Sequence, residues 1–175
     1  MAEDTFLLLG ARYDSEYDAI ADYEELKESI KEFALVDEYD AAVVSRRGDG
    51  KVKIIKRHES PTRHSAREGL GIGLAGGVAL ALFPAVAIGG ALLAGVAGAA
   101  AGAAAGHVAA GMSRHDLKEL GELLDEGESG LLVIASTDME ARIEEELKRA
   151  SKVQKKRLRA DQKAFEAAID EAQES

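Results

Sequence analysis

Apolar positions recur along this chain with two different periods, and one long stretch has no charged position at all. Residues 5–12, TFLLLGAR, form a short apolar run that closes near Asp14-Ser15, the pattern of a buried strand. Ser15 caps a predicted helix over 16–33, where Ile20, Tyr23, Leu26, Ile30 and Phe33 recur every three or four positions. Its outer face is read as acidic: Asp18, Asp22, Glu24, Glu25, Glu28 and Glu32. Residues 39–46, YDAAVVSR, give a second strand, and KVKIIKR alternates at Val52 and Ile54 as a third. Asp49-Gly50 between them predicts a hairpin, because the tight turn needs positive φ at its central residues. A polar connector with Pro61 follows over 58–68.

Beyond the uncharged stretch, Ser113 caps a helix over 114–125 with Leu117, Leu120, Leu123 and Leu124 turned inward. Residues 130–135, GLLVIA, read as the most buried strand. Thr137 and Glu140 have the spacing of a capping box, and the helix they start can run without Gly or Pro to nearly the C-terminus. Without the uncharged stretch the order is β-α-β-β-α-β-α. The first six elements fit a ferredoxin-like βαββαβ domain with two helices on one sheet face. The fold class is therefore α+β, with an inserted Gly/Ala-rich helical hairpin and a long C-terminal helix. The expected divisions are 1–66 and 113–150 for the two parts of the α+β domain, 67–112 for the hairpin, and 151–175 for a charged helical extension.

The hairpin tract is the most distinctive feature. Between Glu68 and His107 lie 38 uncharged residues: 11 Gly, 14 Ala, 12 bulky apolar residues and Pro84. One helix of that length exceeds what a bilayer needs, whereas two of about 16–19 residues just suffice. Pro84 with Gly89-Gly90 supplies the break. Gly69, Gly73 and Gly77 fall four apart, as do Gly98, Gly102 and Gly106. Each set lays a groove of small residues along one helix face, where backbones approach closely. In water each glycine costs a helix about 0.8–1 kcal/mol relative to alanine, so the grooves are expected to serve packing and oligomerisation. The arms differ: Leu70, Leu74, Val78 and Leu82 give the first a bulky stripe, while 97–106 is purely Ala and Gly and should face protein.

Charge sharpens this picture. The net charge of −10 is made of −10 over residues 1–40, +6 over 46–67, −8 over 113–147 and +3 over 148–175, with Glu68 supplying the remaining −1. The basic segment immediately precedes the tract. It fits the positive-inside rule and assigns Lys56, Arg57, Arg63 and Arg67 to lipid headgroups. Lys51 and Lys53 are equally explained as the solvent face of a strand. The absence of cysteine excludes disulfides, thiolate metal sites and cysteine nucleophiles. The start, MAEDT, has no signal-peptide pattern. Acidic flanks and few aromatics argue against nucleic acid as a partner.

No arrangement of residues announces a reaction. Gly71-Ile-Gly73-Leu-Ala-Gly76 matches G-x-G-x-x-G, but a charged connector precedes it where a dinucleotide site needs a strand. His58, His64, His107 and His115 follow no metal-ligand spacing. Arg47-Gly48-Asp49 is read as turn chemistry, and Ser60, Ser65, Ser113 and Ser129 have no nucleophile context. Neither a cofactor nor a small-molecule substrate is expected. The basic band of Lys148, Arg149, Lys152, Lys155, Lys156, Arg157, Arg159 and Lys163 is placed on the C-terminal helix, where it lies against anionic lipid, pairs with another subunit or, equally well explained, is the solvated face of an exposed charged helix.

The opening strand and helix, YDAAVVSRRGDGKVKI, the glycine-rich tract and LKELGELLDEGESGLLVIA together resemble a family of small bacterial and archaeal membrane proteins, domain-of-unknown-function family 1269. The resemblance covers roughly residues 5–150, with the helix after Ala150 as an extension beyond the shared part. It implies an α+β domain with a membrane-type hairpin and, for some relatives, a connection with stress; it brings no catalytic residues. The functional expectation is a non-enzymatic homo-oligomer at the inner membrane with its α+β domain cytoplasmic. The alternative is a cytoplasmic, soluble scaffold whose hairpins bury each other between subunits.

Overall fold

The computed structural model describes residues 4–32, 39–46, 52–58, 78, 87–88, 91–92, 106, 110–126, 129–160 and 167. Strand β1 (Asp4–Tyr13) arises from the opening apolar run. Helix α1 (Glu16–Glu32) starts where the Asp18 backbone N–H donates to Ser15 Oγ at 3.1 Å, which satisfies one of the helix's orphan donors. Strands β2 (Tyr39–Arg46) and β3 (Val52–His58) pair antiparallel, with a register irregularity between Val43 and Val44. Two short strands follow, β4 (Ala87–Ile88) and β5 (Ala91–Leu92). Helix α2 (Arg114–Glu126) is capped by Ser113 Oγ, which accepts from the Asp116 N–H at 3.0 Å. Strand β6 (Ser129–Ser136) leads through a 3-10 turn (Thr137–Met139) into the short helix α3 (Glu140–Glu146) and then strand β7 (Lys152–Ala160).

The strands form one sheet in the order β5-β4-β3-β2-β6-β1-β7. Five of them, β3-β2-β6-β1-β7, are antiparallel neighbours, and β4 joins β3 in parallel. Because β1 and β2 both run against β6, they are parallel to each other and α1 crosses over between them. By the same reasoning β6 and β7, both antiparallel to β1, are joined by the α3 crossover. Each crossover unit thus encloses a strand of the other.

Period-two side chains divide the sheet into two buried faces. Leu7, Leu9, Ala11, Tyr13, Val43, Leu131 and Val133 pack with Tyr23, Leu26 and Ile30 of α1 and with Ile143 of α3 in one core. On the other face, a Cβ added to Gly10 would overlap Leu120, and one added to Gly130 would overlap Leu124. Glycine at these two positions lets α2 lie directly on β1 and β6, where Leu120, Leu123 and Leu124 are buried. Gly111 is held just as closely, since an added Cβ would overlap the Arg159 carbonyl oxygen.

Several expectations are corrected. The long C-terminal helix is not formed over 152–160: α3 ends at Glu146, Leu147 leaves helical geometry at φ −91°, ψ 49°, and β7 follows. The reason is visible in the register. Val153, Lys155 and Arg157 stand opposite Ala11, Leu9 and Leu7 on one face, while Gln154, Lys156 and Leu158 stand on the other, with Leu158 fully buried beside Phe6. A period of two therefore prevails over an imperfect helical stripe, and residues 152–160 belong to the sheet rather than to an appended helix. Strand β3 lies outside β2, so that β2 and β6 stand between it and β1. The 114–125 helix does not share a face with α1, because α3 occupies that place. Thr137 and Glu140 form no capping box, since neither the 3-10 turn nor α3 has a side-chain cap hydrogen bond. Asp22, expected on the solvent face of α1, is fully buried. Finally, Ala91 and Leu92, expected at the start of a helical second arm, are extended and paired with Ile88 and Ala87.

Candidate functional site

The tract comes into view at its centre. Ala87 and Ile88 pair with Lys53 and Ile54 of β3, and Leu92 and Ala91 fold back on Ala87 and Ile88. The apolar tract thus reaches the outer edge of the sheet at a strand that carries Lys53 and Lys56. Ile54 is buried there, while Lys56 is exposed and lies 3.8 Å from Glu24. Among the packing glycines, Gly106 is helical and exposed, and a Cβ added to it would meet nothing within 4 Å. Its small size is not needed for any contact within the described part of the chain. Gly69, Gly73, Gly77, Gly98 and Gly102, the break at Pro84, Gly89 and Gly90, and the basic residues Arg63 and Arg67 all lie outside the described residues, as does the side chain of Arg57. Among the described residues no helix is long and apolar enough to cross a membrane.

The strongest polar constellation is one that periodicity concealed. Asp22 shares the inner face of α1 with Ala19, Tyr23 and Leu26. Its Oδ2 accepts from the Tyr13 hydroxyl at 2.8 Å and from the Arg149 backbone N–H at 3.0 Å, and its Oδ1 accepts from Arg149 Nη1 at 2.8 Å. Arg149 Nη2 also donates to Glu25 Oε1 at 2.9 Å, and Lys148 lies 3.6 Å from Glu25. The hydrogen bond from Arg149 holds the Glu25 carboxyl below the usual carboxylate range, with the charges of Arg149 and Lys148 adding to it. Burial and the bond to Asp22 push the Tyr13 phenol well above its ordinary value. The network ties α1 to the turn between α3 and β7, and its tightness marks it as a structural latch. The spacing of Asp22 three residues after Ala19 and four before Leu26 was the available signal for its burial.

The expected basic band is divided by the strand it occupies. Lys155 points to the α3 side and reaches Glu144 at 2.8 Å and Glu140 at 3.1 Å. Lys156 points to the α2 side and pairs with Glu119 and with Asp116, the latter at 3.5 Å. Each lysine is held above its ordinary value by these carboxylates, Glu144 first for Lys155 and Glu119 for Lys156. The two acidic helices consequently take up charge that a free basic helix would present to lipid.

Nothing among the described residues assembles a reaction centre. Ser45 Oγ donates to Glu16 Oε2 at 2.7 Å and Ser129 Oγ donates to Ser45 Oγ at 3.2 Å, but both serines are buried. The depression between α1 and α3 is lined by Glu24, Glu25, Glu28, Glu32, Glu146 and Lys148 and is widely open to solvent. Among the described residues no three His, Cys, Asp or Glu groups converge in a way that could hold a metal ion. His115 is exposed and pairs with Glu119 on its own helix; His64 and His107 fall outside the described residues, as does the G-x-G-x-x-G segment.

Residues 66–170 match the family described as "Protein of unknown function (DUF1269)". The matched region runs past Ala150 through β7, so the C-terminal strand belongs to the shared part and not to an extension. It also begins close to the start of the tract, leaving β1, α1, β2 and β3, and with them the YDAAVVSRRGDGKVKI segment, outside it. No curated protein and no solved structure matches the chain.

Proposed function

The chain belongs to the DUF1269 family, and from that premise we propose that it is a non-enzymatic, membrane-associated homo-oligomer built around its glycine-rich tract. One observation carries the reading: 38 consecutive residues without a charged side chain, preceded by a basic segment, in a chain of net charge −10. Burying such a stretch in hydrocarbon is favourable, whereas two glycine-laden helices in water are poor. Gly69, Gly73 and Gly77 in one arm and Gly98, Gly102 and Gly106 in the other supply grooves for helix pairs, and Pro84 with Gly89 and Gly90 supplies the reversal. Lys56, Arg57, Arg63 and Arg67 meet headgroups at the cytoplasmic face, which sets the α+β domain on that side. The interlocked β1-α1-β2 and β6-α3-β7 crossovers support a ferredoxin-like core for this domain, with β3 and the tract as an excursion between β2 and β6. The membrane reading is tested by co-floating the purified chain with anionic vesicles in alkaline carbonate. Retention in the vesicle fraction supports it, and full recovery in the supernatant removes it.

A second reading is a soluble scaffold in which tracts bury one another between subunits; the pairing of Ala87 and Ile88 with β3 within one chain supports the part of it that packs the tract on protein rather than in lipid. It requires a stable assembly without detergent, so a monodisperse monomer by light scattering counts against it. Both readings use the glycine grooves. Gly73→Leu and Gly102→Leu are expected to fill them and lower the oligomer size by at least one step in cross-linking or light scattering. An unchanged size in both variants would remove close packing from the proposal.

A further inference from the structure

The pairing of β4 with β3 is hard to reconcile with an inserted tract, and that conflict is informative. Ala87 lies 19 residues after Glu68 and 19 before Gly106, at the midpoint of the uncharged stretch. In a helical hairpin, 19 residues rising about 1.5 Å each put Ala87 roughly 28 Å from the hairpin's base. That is close to the full thickness of the hydrocarbon core, about 30 Å. Its strand partner, Lys53, would then have to accompany it into lipid, where a charged side chain is strongly disfavoured. Sheet-edge pairing and insertion are therefore alternative states of one segment.

We infer that β4 and β5 hold the tract on the β3 edge in a membrane-free state of the chain, and that insertion requires this pairing to be given up. The inference rests on the membrane reading proposed above. The contact is of a size that allows exchange. Among the described residues it consists of two parallel pairs, Lys53 with Ala87 and Ile54 with Ile88, and β5 is hydrogen-bonded into the sheet through β4. A lipid surface that binds the released segment shifts such an equilibrium by its differential affinity for the two states. Release also uncovers β3, and an uncovered edge strand attracts other strands unless it is charged. Lys53 and Lys56 on β3 serve that purpose and, once the edge is free, face anionic headgroups.

The chain has no cysteine, so the pairing can be locked without background. Lys53→Cys with Ala87→Cys, and separately Ile54→Cys with Ile88→Cys, join neighbouring strand positions at a spacing that suits a disulfide. Each oxidised and reduced protein is incubated with equimolar phosphatidylcholine and phosphatidylglycerol vesicles, and the carbonate-resistant fraction is measured. Oxidation is expected to reduce insertion about tenfold or more relative to the same protein reduced, and the reduced Ile54→Cys/Ile88→Cys form, which keeps Lys53, is expected to match the parent chain. Ala87→Pro, which removes a strand N–H near the hairpin turn, is expected to raise the inserted fraction several-fold. Equal insertion in oxidised and reduced protein overturns the inference, and so does failure of both cysteine pairs to form a disulfide. If neither the parent chain nor the reduced variants insert, the membrane reading itself falls, which is a distinguishable result.

Discussion

Replacing Asp22 with alanine is expected to lower the unfolding free energy of the α+β domain by about 3 kcal/mol. The buried carboxylate accepts from Tyr13, from the Arg149 backbone and from the Arg149 guanidinium. Removing it leaves the Tyr13 hydroxyl enclosed without its acceptor, and orphaning a buried polar group costs about 1–3 kcal/mol. Loss of the charge-assisted contacts between α1 and the α3–β7 turn adds to that, since hydrogen bonds to charged groups contribute about 1.5–3 kcal/mol each. Domains of this size are stable by only about 5–15 kcal/mol, so the change is large. Urea titration reads it as a lower midpoint with an unchanged slope. Asp22→Asn, which keeps an acceptor for Tyr13, should retain part of the stability. Equal midpoints for the parent and Asp22→Ala would mean that the latch contributes nothing.

Alkaline pH is expected to unfold the domain steeply, because three tyrosines are buried on the α1 side of the sheet. Burial pushes the Tyr23 phenol up to about 12, with the charge of Glu24 adding to it. Tyr13 lies well above its ordinary value through burial and its bond to Asp22. Tyr39 is raised by burial and by neighbouring Tyr23, Glu24 and Asp40. A phenol is neutral when protonated, and in the unfolded chain it titrates near 10. Between that value and the raised folded one, the folded state binds more protons than the unfolded state, so stability falls as pH rises. Stability from these groups is therefore complete below about pH 10 and is lost as pH climbs through 12 and beyond. Each contributes a slope of about 1.4 kcal/mol per pH unit, roughly 4 kcal/mol for the three together. Denaturant midpoints at about pH 9 and pH 11 test this, with Tyr13→Phe expected to flatten the slope by about a third. Identical midpoints at the two pH values would contradict it.

The sequence was legible where one period dominated and a cap marked the boundary. Ser15 and Ser113 announced α1 and α2, and each hydroxyl does accept the N–H three residues on. The unbroken apolar run of β6 announced a central strand, and every residue from Ser129 to Ala135 is buried. The failures came where two periods competed. Residues 152–160 carry so many long basic side chains that neither stripe stands out, and only pairing with β1 makes the strand the better use of Leu158 and Val153. That one strand changes the topology, because β7 completes the crossover through α3 and sends α2 to the opposite face. Asp22 was missed for a related reason: an acid on an acidic helix looks solvated until Tyr13 and Arg149, distant in sequence, are seen to enclose it. The candidate site was legible only as composition. Lack of charge over 69–106 is plain in the sequence, but contact between its centre and β3 depends on a pairing across 34 residues that no local pattern encodes.

A membrane-embedded tract and a tract packed wholly against protein differ most directly in where the intact chain is found. The decisive measurement is fractionation of cells expressing the full chain, with the membrane pellet washed in alkaline carbonate and the protein followed by immunoblot. The chain is expected in the washed pellet. Recovery of all of it in the soluble fraction, without detergent, would contradict membrane association and leave self-assembly as the role of the glycine-rich tract.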